Sequence, residues 1–180
     1  MNVKKLSKTI VTALAITVLG ISGLGLTAYA HEGHEGEATP IEVYRLYNPN
    51  NGEHLYTNNL GEKDYLDNSG WNYEGIAFTA LSDGQHVYRL YNPYSGEHHY
   101  TINEHEVSYL YKLGWNVEGV AWCYDYDGII TTKDVYRLYN PNATGIYEVG
   151  AHHYTANEGE RDWLVSLGWQ YEGVGWKVIE

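Results

Sequence analysis

The sequence contains few residues of several kinds, and each scarcity excludes a class of protein. One cysteine, Cys123, excludes an intrachain disulfide, so packing and polar contacts must hold the fold. Lysine and arginine number 11 against 23 aspartate and glutamate, which gives a net charge of −12. A field of that sign repels phosphate backbones, so we expect no nucleic-acid partner.

Long apolar runs are also scarce, and the one clear run lies near the start. It extends from Ile10 to Leu26, follows three lysines and ends before Ala28-Tyr29-Ala30. This order is typical of a secretory signal peptide over residues 1–30, cleaved before His31. We therefore expect a secreted, extracellular protein, free or associated with the cell wall, with no stable membrane insertion after cleavage.

The remaining chain predicts a short tail and one domain. Residues 31–41 begin with "HEGHEG" and predict a flexible tail rich in acidic residues and histidine. Residues 42–180 are enough to bury one core. The signal segment carries three lysines and no acid, so eight basic residues face 23 acidic ones after cleavage, a net charge of −15.

The sequence contains one long motif in three copies. "VYRLYNP" begins at Val43, Val87 and Val135, and "GW" followed by "EG" closes each copy. Thr57 lies 14 residues before Trp71, and the matching step is 14 residues in the other two copies, whereas turns and linkers vary. Constant elements with variable connections are typical of a structural repeat. The repeats span about residues 42–84, 85–131 and 132–180.

Each copy predicts strands and one short helix. Valine and tyrosine favour strands at the start and end of the copy. Asparagine followed by glutamate three residues later predicts a helix capping box at Asn59, Asn103 and Asn157. The glycine before each tryptophan is placed to end the helix.

The fold class follows from the size of one copy. A unit of about 45 residues cannot bury its own apolar face, so three units must pack together. We predict a mostly β domain with short helices, whose three tandem repeats close as a β-trefoil-like pseudo-threefold domain. A three-bladed or prism-like arrangement of small mixed sheets is the alternative, because a helix in each repeat is atypical of a trefoil.

A charged pair recurs in every copy. Each glutamate of "EG" lies on a strand that is otherwise apolar, where a carboxylate needs a partner. The predicted structural ion pairs join it to the arginine of its own copy: Arg45 with Glu74, Arg89 with Glu118, and Arg137 with Glu172. A catalytic acid is disfavoured, because hydrolysis of glycosides uses two acids in unlike environments.

Histidines mark the predicted hairpins. His54, His98 and His152 share one position, and His99 and His153 follow two of them. Three imidazoles that converge could bind zinc, but the spacing equally fits histidines that brace their own turns. We predict no metal and no cofactor, with zinc at the first three histidines as the less favoured alternative.

The aromatic content gives the strongest functional signal. Tyrosine occurs 19 times and tryptophan six times, against one phenylalanine. A core needs rings but not hydroxyls, whereas sugar sites use rings that stack on the sugar and polar groups that bind its hydroxyls. The candidate ligand-binding residues are Tyr94, His98, His99, His152, His153, His54 and Tyr147. Of the turn and variable positions, we expect exposure at Tyr94, His99, His153, Tyr147 and Tyr73.

The combination "VYRLYNP", "GEHHYT", "LGW" and "EG" resembles a repeat family of unknown function. That family occurs in secreted proteins of Gram-positive bacteria, alone or appended to cell-wall hydrolases and other exported enzymes. The resemblance covers nearly the whole chain that follows the predicted signal segment and implies an extracellular accessory or binding module. It supplies no catalytic residues. The third copy departs from the pattern at Ala151 and in the extra loop from Ala143 to Val149.

The favoured function is therefore a secreted, non-catalytic module that binds carbohydrate or a cell-surface glycan through its repeats. A protein-binding module, such as an inhibitor or adhesin, is the alternative, and it would use the extra loop of the third copy. A hydrolase is the third interpretation. The sequence contains no G-x-S-x-G or H-E-x-x-H spacing to support it.

The signal segment yields a direct prediction. N-terminal sequencing of the protein from culture supernatant should begin at His31, because the small residues Ala28 and Ala30 fit the cleavage site. An intact protein that keeps Met1 and stays with the membrane would contradict it.

Overall fold

Each repeat folds into the same order of strand, strand, helix and strand. The computed structural model describes residues 38–125, 132–143 and 150–180. The elements are β1 Pro40–Tyr47, β2 His54–Thr57, α1 Leu60–Asn68, β3 Asn72–Leu81, β4 Gln85–Tyr91, β5 His98–Thr101, α2 Glu104–Lys112, β6 Asn116–Tyr124, β7 Thr132–Tyr139, β8 His152–Thr155, α3 Glu158–Ser166 and β9 Gln170–Ile179. The predicted mostly β chain with short helices is confirmed.

The strands of each repeat form a small antiparallel unit. The first strand lies in the middle, so β1 pairs with both β2 and β3, β4 with β5 and β6, and β7 with β8 and β9. β3 joins the units, since Leu81 pairs with Cys123 on β6 and Thr79 pairs with Ile179 on β9. The result is an open antiparallel sheet of nine strands.

Bulges interrupt the simple alternation that the sequence predicts. Val43 and Leu46 are both fully buried although they are three residues apart. The register explains this, because Arg45 pairs with Gly75 and Leu46 with Tyr73, which leaves Glu74 as an extra residue on β3. Bulges re-aim side chains, and this one turns Glu74 out of the regular alternation. The other two units show the same shift.

The bulge accounts for the recurring "EG". Gly75, Gly119 and Gly173 have φ angles of 100°, 107° and 104°. A residue with a Cβ is strained at such angles, so glycine is required beside each bulged glutamate.

Both ends of each helix follow the sequence signals, with one correction. The Asn59 side chain accepts from the Glu62 amide, and Asn103 and Asn157 cap their helices in the same way. The glutamate does not complete a capping box, because Thr57 Oγ1 accepts the Asn59 amide instead. The helix glutamates are thereby free to bind another repeat.

The C-terminal end of each helix is a Schellman turn. The Trp71 amide donates to the Leu66 carbonyl, and Gly70, with a φ of 96°, donates to Asp67. The corresponding turns of the other helices contain Gly114 and Gly168.

Rings in two layers form the core. Tyr56, Tyr100 and Tyr154, one from each repeat, meet edge to face with ring centroids 5.5–5.8 Å apart. We call these three residues the tyrosine cycle. Phe78, Trp122 and Trp176 form the next layer at 5.5–6.0 Å. The three repeats therefore share one core.

The core does need hydroxyls, contrary to the expectation from composition. Each hydroxyl of the tyrosine cycle donates to a backbone carbonyl of another repeat and accepts a backbone N–H there. Tyr56 donates to the Tyr154 carbonyl at 2.7 Å and accepts the Tyr154 amide at 3.2 Å. Tyr100 makes the same two bonds to Tyr56, and Tyr154 makes them to Tyr100.

The predicted signal segment and residues 31–37 lie outside the described residues. Among the helices that the structure describes, none has the length and apolarity needed to cross a membrane.

The caps yield a stability prediction. Asn103→Ala removes an acceptor for the first-turn amides of α2 and should lower the free energy of unfolding by about 1 kcal/mol. Denaturant titration measures this, with Asn103→Ser as the control because serine also caps helices. Equal losses in both variants would show that the cap bond is not the cause.

Candidate functional site

Three arginines occupy the junctions between repeats, and each lies between two carboxylates. Arg89 Nε lies 2.7 Å from Glu118, on the bulge of its own repeat. Arg89 Nη1 lies 2.8 Å from Glu62, on the helix of repeat 1. The predicted pairing of each arginine with the glutamate of its own copy thus describes only half of the arrangement.

The same pattern recurs at the other two junctions. Arg137 lies 2.9 Å from Glu172 of its own repeat and 3.1 Å from Glu106 of repeat 2. Arg45 lies 2.8 Å from Glu74 and 3.0 Å from Glu160 of repeat 3. Repeat 2 therefore contacts repeat 1, repeat 3 contacts repeat 2, and repeat 1 contacts repeat 3. The tyrosine cycle follows the same cyclic order.

The helix glutamates are held in their charged form. Burial raises the pKa of Glu106, but contacts with His99, Thr101 and Arg137 lower it by more than burial raises it. The net result is a pKa of about 2, below the ordinary value for glutamate. Burial likewise opposes ionisation of Glu62 and Glu160, and hydrogen bonds and neighbouring charges lower the pKa of both. Each junction arginine is thus paired with two carboxylates.

The hairpin histidines are part of these junctions. His98 Nδ1 lies 2.7 Å from Glu53 of repeat 1, and the same oxygen accepts the His98 amide. His152 meets Glu97 of repeat 2 in the same way, at 2.9 Å. At the remaining junction Ala151 replaces the acid that would face His54.

The expected exposure of His99 and His153 is wrong. Both side chains are 3% exposed, because each packs against a histidine of the adjoining repeat and a tryptophan of its own. His99 stacks edge to face on His152 at 4.7 Å, and His153 stacks on His54 at 4.5 Å. Burial lowers the pKa of His99 and favours its neutral form.

The described histidines do not gather around a common point for a metal. His54, His98 and His152 each lie at a different junction. Within residues 38–125, 132–143 and 150–180, no group of three or more His, Cys, Asp or Glu side chains is placed to hold a metal ion. Cys123 is buried, and burial followed by the charge of Asp83 raises its thiol pKa.

Polar clefts open at two of the junctions. One has a volume of about 200 Å³ and includes Asn59, Glu62, Arg89, Glu118 and Val120 in its lining. The other, of about 280 Å³, contains the equivalent set from repeats 2 and 3: Asn103, Glu106, Arg137, Glu172 and Val174. Carboxylates, an amide and a guanidinium beside an apolar rim are groups that bind hydroxylated ligands.

Exposed rings on the helices are a feature that the sequence analysis misses. Tyr65, Tyr109 and Trp163 occupy one position in the three repeats, and they are 71%, 62% and 60% exposed. We call them the helix rings. The sequence does carry a signal for them, because each lies six residues after its capping asparagine.

The other predicted ring positions have mixed outcomes. Tyr94 is 72% exposed and Tyr73 is also exposed, as expected. Tyr147 lies outside the described residues.

These features define a three-repeat, mostly β domain with polar junctions and a ring on each helix. The chain belongs to the family described as domain of unknown function (DUF5648), which it matches over residues 42–179. No curated protein and no solved structure matches it significantly.

The junction charges predict acid sensitivity. The pKa of Glu106 is lower folded than unfolded, so its contribution to stability is present above about pH 4.5 and is lost as the pH falls toward 2. Between pH 6 and pH 3 this amounts to about 2 kcal/mol of unfolding free energy.

Urea titrations at both pH values test this prediction. Glu106→Gln should lose about 2 kcal/mol less on acidification than the wild type. The control is Asp67→Asn, which changes an exposed carboxylate on α1. The same acid loss in all three proteins would contradict it.

Proposed function

We propose that the protein is a secreted, non-catalytic module that binds a glycan at the cell surface, and that the helix rings are its principal contacts. The observation that carries the proposal is the recurrence of an exposed ring at one position in all three repeats. Exposing a large ring to water is unfavourable, so these rings do not contribute to the stability of the fold by burial. Their recurrence at one exposed position in three repeats therefore favours a role in binding.

The chemistry of the surface fits a sugar polymer. A tyrosine or tryptophan face stacks on the apolar C–H face of a pyranose, and nearby carboxylates and amides bind its hydroxyls. The junction clefts offer such groups. The net charge of −12 disfavours polyanions such as teichoic acids and favours neutral or cationic glycans.

We further propose that the three units are arranged about a pseudo-threefold axis, as in a β-trefoil-like domain. The cyclic order of the arginine contacts and of the tyrosine cycle supports this arrangement. Because the sheet is open, side chains rather than strand pairing would close the ring of repeats. Three sites on one rigid body would raise the apparent affinity for a polymer, since later contacts are intramolecular.

The proposed binding residues differ from those suggested by the sequence. The hairpin histidines are engaged at the junctions, and two of them are buried. We therefore assign them to bracing the repeats. Tyr94 remains a candidate contact, since it is exposed on the turn of the second repeat.

A protein partner is the second candidate. Leu113 and Leu167, at the C-terminal ends of α2 and α3, are each 55% exposed and add aliphatic surface near the helix rings. Aliphatic side chains without hydrogen-bonding groups fit a protein surface better than a sugar.

Retention on insoluble polysaccharide tests the proposal. The wild type should be retained on purified cell wall, chitin or cellulose. The triple variant Tyr65→Ala, Tyr109→Ala, Trp163→Ala should be released, because each lost ring removes about 1 kcal/mol of stacking, or about fivefold in affinity at each site. Its melting temperature should change little because the rings are exposed.

The matched control is Leu113→Ala with Leu167→Ala, which removes exposed aliphatic surface from the same helix ends. It should leave retention unchanged. A wild type that binds no polysaccharide would defeat the glycan proposal. Loss of retention in the leucine variant alone would show that the aliphatic helix ends, and not the helix rings, contact the polysaccharide.

A further inference from the structure

The junction between repeats 1 and 3 differs from the other two in connection and in charge. Repeat 1 leads directly into repeat 2 and repeat 2 into repeat 3, but no linker joins repeats 1 and 3. We call this junction the seam. Side-chain contacts and the strand bridge between Thr79 and Ile179 hold it.

Among the described residues, the seam also lacks a carboxylate at the position that Glu53 and Glu97 occupy in the other junctions. Glu53 and Glu97 are buried and each binds both the amide and Nδ1 of a histidine in the following repeat. Ala151 stands at the equivalent position of repeat 3, and its methyl group can accept no hydrogen bond from His54.

A second imidazole faces His54 across the seam. The His54 and His153 rings lie 4.5 Å apart, edge to face. At the junction of repeats 1 and 2, Leu55 takes the place of the second histidine. At the junction of repeats 2 and 3, the paired imidazoles of His152 and His99 are accompanied by Glu97. Among the three junctions, only the seam has two imidazoles and Ala151 in place of the glutamate.

We propose that the seam is an acid-sensitive latch, in which protonation of His54 separates repeat 3 from repeat 1 while the other two junctions stay closed. This inference does not depend on glycan binding.

The groups packed around His54 support this direction. Arg45 and Tyr47 on β1 face it from its own repeat, and Glu74 on the β3 bulge lies 3.5 Å from His54 Nε2. His153 on β8 and Glu160 on α3 face it from repeat 3. Arg45 lies within 3.0 Å of both carboxylates and repels an imidazolium, whereas the other two junctions place the additional carboxylate of Glu53 or Glu97 beside their histidine.

The sign of the pH effect follows from the closed state. Burial, then His153 and Arg45, lower the pKa of His54 to about 3. In an open seam the imidazole would titrate near its ordinary value of about 6.5. The open state therefore binds more protons between these values, and the closed seam loses stability as the pH falls from about 6.5 toward 3.

The tyrosine cycle provides one reporter amide for each junction. The Tyr154 amide bonds to Tyr56 across the seam, at 3.2 Å. The Tyr56 amide reports the junction of repeats 1 and 2, and the Tyr100 amide reports that of repeats 2 and 3. Hydrogen exchange of these three amides, corrected for the intrinsic rate at each pH, measures the opening of each junction in the intact protein.

We expect the protection of the Tyr154 amide to fall about 20-fold from pH 7 to pH 5, as one proton is taken up by the open seam. The amides of Tyr56 and Tyr100 should change much less. In His54→Gln the fall at Tyr154 should disappear, because glutamine does not titrate. His98→Gln, at the junction of repeats 1 and 2, should retain it.

A pair of glycine variants opens the seam independently of pH. A Cβ at Gly150, whose φ is +74°, would lie 2.6 Å from the Gly52 carbonyl oxygen of repeat 1. Gly96 has a φ of +84°, and a Cβ added there would meet no atom within 4 Å, so Gly96→Ala carries the backbone strain without the clash. Gly150→Ala should lower Tyr154 protection at both pH values, and Gly96→Ala should not.

Three outcomes would overturn the latch. Tyr154 protection that does not change between pH 7 and pH 5 would exclude acid opening. An equal fall at all three amides would indicate global unfolding instead. A full pH effect in His54→Gln would show that another group senses the proton.

Discussion

The bonds of the tyrosine cycle are the interaction on which the rest of the structure depends. β2, β5 and β8 each pair with only one described strand, so one edge of each faces the centre of the domain. Buried backbone groups on such an edge need partners. A tyrosine hydroxyl supplies both a donor and an acceptor to the adjoining repeat, and in this way it replaces a strand. Phenylalanine would fill the same space and leave both backbone groups unpaired, at a cost of about 1–3 kcal/mol for each.

The arginines form an outer layer of the same cyclic connection. The bulge brings one glutamate to each arginine, and the helix of the adjoining repeat brings another. An arginine paired only with the bulge glutamate would balance charge within its repeat but would not join two repeats. The second carboxylate is free for this task because Thr57, rather than Glu62, satisfies the N-cap amide. A local detail of capping is thereby linked to the cohesion of the whole domain.

The sequence predicts those features whose causes lie within one copy. The helix boundaries and the mostly β character depend on neighbours a few residues away in the sequence. The helices begin after Asn59, Asn103 and Asn157 and end before a glycine, as predicted. The errors concern features that need a second copy. The predicted exposure of His99 and His153 is wrong because another repeat supplies part of the cover, with His152 packed on His99 and His54 packed on His153. Composition alone does not explain the hydroxyls of the core tyrosines for the same reason, since their acceptors are 44 to 98 residues away.

The contacts between repeats also indicate which residues are left to bind a ligand. Some residues are identical in all three repeats, among them Arg45, Tyr56 and Glu74, and their side chains already make contacts within the domain. They are therefore poor candidates for the principal contacts with an external ligand, although the junction clefts can add polar contacts beside the helix rings. The helix rings occupy an exposed position, and tyrosine can become tryptophan there while the aromatic character remains. A requirement for a ring rather than for one particular side chain is what stacking on a ligand imposes, because the face of the ring, and not its polar edge, makes the contact.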